Sequence, residues 1–227
     1  MRKLLLLLIC AIPSLASAQT APSCSQTDVQ NTINAAVNGA VVTVPGPCTA
    51  AWASVVTIPN TKGITVQASG TVTVTQNGFQ LNQGALASRI TGFTFTNQAN
   101  CSSGTPIQTN GTSGSAFRID HNTFTTSSPV AIQLCVSGIT TGLIDHNAFT
   151  AGGASEMIHL LGGTNAWSAS LIPGSSQMVF IEDNTFTNSS TTIAQAEESF
   201  NGAQFVFRHN TLTGTANDIH NGGNGGR

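Results

Sequence analysis

Phe117-Arg118-Ile119-Asp120-His121-Asn122-Thr123-Phe124-Thr125 returns three more times in a chain of 227 residues. The later copies are Leu143-Ile144-Asp145-His146-Asn147-Ala148-Phe149-Thr150, Phe180-Ile181-Glu182-Asp183-Asn184-Thr185-Phe186-Thr187 and Val206-Phe207-Arg208-His209-Asn210-Thr211-Leu212-Thr213. The aligned asparagines are 25, 37 and 26 residues apart. Self-similarity at such intervals marks units that cannot bury an apolar face alone and must stack, as the turns of a solenoid do. Ser88-Arg89-Ile90-Thr91-Gly92-Phe93-Thr94-Phe95-Thr96 fits one turn earlier with Phe93 in place of Asn, and an insertion near 162–177 explains the long interval.

Within the unit the alternation of a strand assigns the faces. Ile119, Ile144, Ile181 and Phe207 make one inward column, and Phe124, Phe149, Phe186 and Leu212 another. Neighbouring parallel strands lie about 4.8 Å apart, so such columns stack into a continuous core. The asparagines fall at the bend between two strands. Asn tolerates left-handed backbone, and its amide can bond the same amide of the next turn, so these residues are expected to be structural.

Upstream, Ser25 to Asn38 is the one convincing helix, with Val29, Ile33 and Val37 on one stripe, a capping-box-like start at Ser25 and Asp28, and Gly39 as the stop. It suits a lid over the apolar end of a solenoid. Short β-branched runs follow at 41–44, 55–58, 64–66 and 71–74, broken by Pro45-Gly46-Pro47, Pro59-Asn60 and Ser69-Gly70. A capping helix leading into a Val/Thr-rich first coil resembles the N-terminal part of the pectate-lyase-like superfamily. The resemblance covers nearly all of the chain after residue 18. It implies an all-β fold, a right-handed single-stranded parallel β-helix with an N-terminal capping α-helix.

Met1-Arg2-Lys3, the apolar run Leu4 to Ile12 and Ala16-Ser17-Ala18 have the three parts of a secretory signal peptide. The expected organisation is a signal over 1–18, a capping segment over 19–39 and a β-helix over 40–227. The last strand-like stretch is followed at once by Gly222-Gly223-Asn224-Gly225-Gly226-Arg227, so the β-helix is expected to be incomplete, its uncapped end open to association. Cys24, Cys48, Cys101 and Cys135 are an even set in an exported chain, extracellular or periplasmic. Proximity favours Cys24 with Cys48 and Cys101 with Cys135, while connectivity stays open and reduced buried thiols are the alternative. A net charge of -2 and few cations disfavour nucleic acid or anionic lipid as partners. No stretch after the signal reaches the roughly 18 apolar residues of a membrane span, so no membrane contact is expected once it is cleaved.

A second alignment, Ile107-Gln108, Ile132-Gln133, Ile158-His159 and Ile219-His220, predicts an outward polar column of Gln108, Gln133, His159 and His220. Glu197 and Glu198 lie between the last two without a fixed register. In the enzymes the fold resembles, the glycan groove lies on such a face, flanked by long loops. The column and the neighbouring indole of Trp167 are therefore the expected binding surface for an extracellular polysaccharide. Hydrolysis needs two carboxyl groups about 5 to 9.5 Å apart. That makes Glu156, Glu198 and Asp218, with His159 and His220 beside them, the catalytic candidates. A lyase would need cations near its base, and the acidic calcium cluster of pectate lyases and the Asp-rich motifs of polygalacturonases are both missing, so no catalytic residue carries over from either family. No cofactor is expected. Calcium at the acidic column of Asp120, Asp145 and Glu182, with His121, His146, Asp183 and His209 beside it, is the one alternative. The other function classes are a structural or adhesive β-helix, and ice binding through the Thr-x-Thr ladder 94/96, 123/125, 148/150 (with Ala148 in the first place), 185/187 and 211/213, which looks like the arrays of β-helical ice-binding proteins.

Overall fold

The computed structural model describes residues 17–96, 101, 105–111, 116–126, 132–138, 141–153, 156–162 and 178–219, with the side chains at 132 and 217–219 left aside. Residues 1–16 of the expected signal, the insertion at 163–177 with Trp167, and His220 through Arg227 lie outside the described residues.

The chain winds into a parallel β-solenoid of about six turns. Every strand pairing is parallel, in two sheets. The larger sheet joins two faces of each turn, for example Phe117–Asp120 and Thr123–Thr126, through the long strands Thr65–Val74 and Ser88–Phe95 that bend from one face to the other. The smaller sheet stacks Val56–Ile58, Phe79–Asn82, Ile107–Gly111, Ile132–Gly138, Glu156–Leu161, Ala194–Phe200 and Thr215–Ile219 in chain order.

Stacking in register makes the core. Ile90, Ile119, Ile144 and Ile181 share one column and are fully buried. Phe124, Phe149 and Phe186 stack nearly face on, with centroids 4.7 and 4.9 Å apart and planes within 5°. Each such ring buries a large apolar area and adds the offset-stacking attraction of its neighbours. Burial fades at the last turn, where Leu212 is 38% exposed.

The corner between the two faces of the larger sheet carries the asparagine ladder. Asn147 Oδ1 accepts the backbone N–H of Asn122 at 2.9 Å and its Nδ2 amide at 3.2 Å, while Asn147 Nδ2 donates to Ile119 O, Asp145 O and Asn184 Oδ1. Asn184 repeats the pattern with Asn210. Polar atoms at a buried bend are thereby satisfied by the next turn. The left-handed residue is not the asparagine, however, but the one before it. His121, His146, Asp183 and His209 have φ of 53–58°, where the preceding turn places Gly92. A non-glycine residue there costs about 1–2 kcal/mol, which the ladder bonds offset.

The helix spans Gln26–Ala35 and buries Val29 and Ile33 against the first turn. Ser25 Oγ accepts the N–H of Asp28 at 3.2 Å, as an N-cap should. It stops short of Asn38, leaving Val37 53% exposed, because Ala36 is already extended. Lys62 from the solenoid donates to Asn34 O and Ala36 O, holding the terminal carbonyls. Gly39, at φ 81°, serves the turn into the first strand rather than the helix end, its N–H bonding Gly63 O at 2.7 Å.

Two further departures concern strands. Ser69-Gly70 bends one strand, Thr65–Val74, with a register shift between Gln67 and Val72, instead of separating two. Phe79–Asn82 is a strand without β-branched residues that the sequence did not announce. The cysteines pair Cys24–Cys48 and Cys101–Cys135, which fits an extracellular protein. No helix among the described residues is long and apolar enough to cross a membrane.

Candidate functional site

Pairing fixes the outward column of the smaller sheet. Gln80, Gln108, Cys135, His159, Glu198 and residue 218 lie in register on successive strands. Gln133 is not on it. Leu134, not Ile132, pairs with Ile107, so the strand is displaced by two residues from the sequence alignment. Gln133 is 1% exposed and its Nε2 donates to Thr150 O at 2.9 Å. A second slip of two puts residue 218, in place of His220, opposite Glu198. A two-residue slip keeps every side chain on its own face, so alternation cannot detect it.

Two sequence candidates, His159 and Glu198, lie on this column, and a third, Glu156 at the start of the His159 strand, reaches them from beside it. His159 Nδ1 lies 2.5 Å from Glu156 Oε2. One ligand atom from each of Glu156, His159 and Glu198 falls within 4.8 Å of the others. The side chains are sheltered: His159 is 14% exposed, Glu156 28%, and Glu198 is buried. Phe200 lies beside the imidazole with centroids 4.8 Å apart, and Cys135, tied to Cys101, holds the preceding rung. Inside the same strand Glu197 and Ser199 are fully buried in the columns that Ile158 and Leu160 fill one turn earlier. The paired Glu197-Glu198 thus sends one carboxyl inward and one outward. An imidazole between two carboxyl groups can relay a proton, and sheltering strengthens that electrostatic coupling.

The described cations sit elsewhere. Lys62 is on the helix end, Arg89 forks onto Asp120, Arg118 onto Asp145 at 2.7 and 3.0 Å, and Arg208 onto Glu182 at 2.8 Å. The acidic column is thus an arginine ladder, and its carboxylates are already neutralised. Burial alone would raise the Asp120 carboxyl, but bonds from Arg89 and His121 and the charges of Arg89 and Arg118 outweigh it and hold the group below the ordinary carboxylate range. The Asp120 bond raises Arg89, and the Asp145 bond raises Arg118.

A groove that the sequence did not suggest runs along the C-terminal ends of the smaller sheet's first strands. Asn60, Asn82, Gln83, Asn110 and Ser137 line it above Gly138. Gly138 has φ 89°, and a Cβ there would come within 1.8 Å of Gly111 O, so only glycine fits against the neighbouring turn at this point. In register, Asn82, Asn110 and Ser137 continue into Leu161 and Phe200, the ring beside His159. That row runs alongside the column of His159 and Glu198, two residues further along each strand, and the cluster itself does not line the groove.

The Thr rows exist as aligned: Thr94, Thr123, Ala148, Thr185 and Thr211 in one, Thr125, Thr150, Thr187 and Thr213 in the other. Thr96, Thr125 and Thr150 also border a recess with Gly152 and Ser189, which breaks the flatness of the face. A scan of protein-family models, a search of curated proteins and a search of solved structures each find no match.

Proposed function

We propose that the chain is a secreted, right-handed β-helix of the pectate-lyase-like kind that binds an extracellular polysaccharide and hydrolyses it at Glu156, His159 and Glu198. The observation that carries this reading is the convergence of two carboxyl groups and an imidazole in one sheltered cluster on the smaller sheet, which also carries a polar groove on its earlier turns. The right hand is the one parallel crossovers take in nearly every case. Hydrolysis is favoured over elimination because the described arginines and Lys62 are engaged away from the column, leaving none of them to neutralise a uronate carboxylate. An oxygen of Glu156 lies within 4.8 Å of one of Glu198, closer than the roughly 6.5–9.5 Å of an inverting pair, which favours a nucleophile and an acid/base. Uncharged amides in the groove match the hydroxyls of a neutral glycan, and the strand spacing of about 4.8 Å is close to the repeat of an extended sugar chain.

The test is a polysaccharide panel read for new reducing ends and for unsaturated products. Reducing ends without unsaturation are expected on a neutral glycan. Unsaturated products would transfer the reading to a lyase, and failure to bind or cut any glycan would leave the structural or adhesive β-helix.

A further inference from the structure

The four exposed corner residues before the asparagines do chemistry that the ladder does not require. His121 and His146 occupy equivalent left-handed positions on adjacent turns, their rings parallel within 4° and 5.1 Å apart. Each Nδ1 faces its own neighbouring carboxylate, His121 to Asp120 Oδ2 at 2.7 Å and His146 to Asp145 Oδ2 at 2.8 Å. Those carboxylates are themselves fixed, Asp120 by Arg89 and Asp145 by Arg118. A carboxylate on Nδ1 selects the tautomer that carries its proton there, leaving Nε2 with a free lone pair.

Two Nε2 acceptors thus stand one rung apart at the surface, the side chains 57% and 52% exposed. The next rung places the exposed Asp183 at the same corner position. Four carboxylates, Asp120, Asp145, Glu182 and Asp183, meet only three guanidinium groups, from Arg89, Arg118 and Arg208, at this edge.

We infer that His121 and His146, with Asp183 on the adjoining turn, form a surface site for a borderline divalent transition cation such as Cu²⁺, Ni²⁺ or Zn²⁺. Imidazole nitrogens select these ions over calcium, and copper leads the affinity order. The carboxylates of Asp120 and Asp145 act as outer partners that orient the rings. Calcium, which takes oxygen ligands, suits the corner less well, because Asp120, Asp145 and Glu182 are held by arginine.

The test is titration of the mature protein with Cu²⁺ by calorimetry, with the electron paramagnetic spectrum read for imidazole nitrogen. Asn tolerates left-handed backbone, so His121→Asn and His146→Asn remove one ligand each without straining the corner. Each is expected to weaken binding at least tenfold and to leave the unfolding temperature of the metal-free protein unchanged. His159→Gln is expected to leave this site's affinity as it was. Absence of copper binding, or affinity lost in His159→Gln but kept in both corner variants, would overturn the assignment.

Discussion

The asparagine corner and the outward column of the smaller sheet are built on the same rungs, yet they differ in one respect. At the corner the same residue recurs in four turns, and each of the first three copies makes the same bonds to the next. On the column the residue changes at nearly every turn, from glutamine to a bridged cysteine, a histidine and a glutamate. A position that must close a solenoid turn needs the same chemistry each time. A position that meets a ligand needs its chemistry once, so repetition marks scaffold and its interruption marks the place for a site.

That contrast predicts opposite responses to mutation. Asn147→Ala should have the largest effect on stability. It strands the N–H of Asn122 and the carbonyls of Ile119 and Asp145 in a buried corner, and unfolding should become easier by about 4 kcal/mol in a denaturant melt. A loss under 1 kcal/mol would mean that the ladder is not what holds the turns together. Replacing Cys101 and Cys135 by serine should cost about 3 kcal/mol, the usual range for a bridge closing a loop of this order. Because Cys135 neighbours His159, the same variant should also lose glycan cleavage. Retained activity would uncouple the bridge from the site.

Asp120→Asn should cost about 2 kcal/mol, since its arginine partners are partly exposed and solvent screens them. The pH dependence gives the sign. The folded carboxyl lies below its unfolded value near 3.9, so the stabilisation is fully present above that value and is lost as pH falls through the folded one. The gap between wild type and Asp120→Asn should therefore narrow below about pH 4. A constant gap between pH 7 and pH 2 would remove the ion pair from the account.

Sequence reading reached the larger sheet almost complete, because Ile119, Phe124 and Asn122 recur with fixed spacing and their columns need only be superposed. The smaller sheet was legible in its face but not in its register. Ile132 and Leu134 are both apolar and two apart, so Gln133 could be slid onto the column that Cys135 occupies. Phe79–Asn82 escaped notice because Phe-Gln-Leu-Asn carries no β-branched residue, and its register with Ile107–Gly111 supplies what local propensity lacks. The helix end at Ala35 is likewise set from outside, by Lys62 across the turn. Glu156, His159 and Glu198 were each visible as candidates. Their convergence was not, since it depends on the pairing of Glu156–Leu161 with Ala194–Phe200. The amide groove left no signal, because Asn82, Asn110 and Ser137 look like ordinary strand ends until they are stacked.

The central claim is that the interrupted column carries function while the repeated corner carries the fold. Glu198→Gln tests it most directly, measured for both thermal unfolding and release of reducing ends from the polysaccharide that the wild type cleaves. The account predicts a stability change below about 1 kcal/mol with hydrolysis reduced about 10²–10⁴-fold, the range for loss of a general acid or base. Full hydrolysis by Glu198→Gln, or a loss of activity that merely follows unfolding, would contradict it.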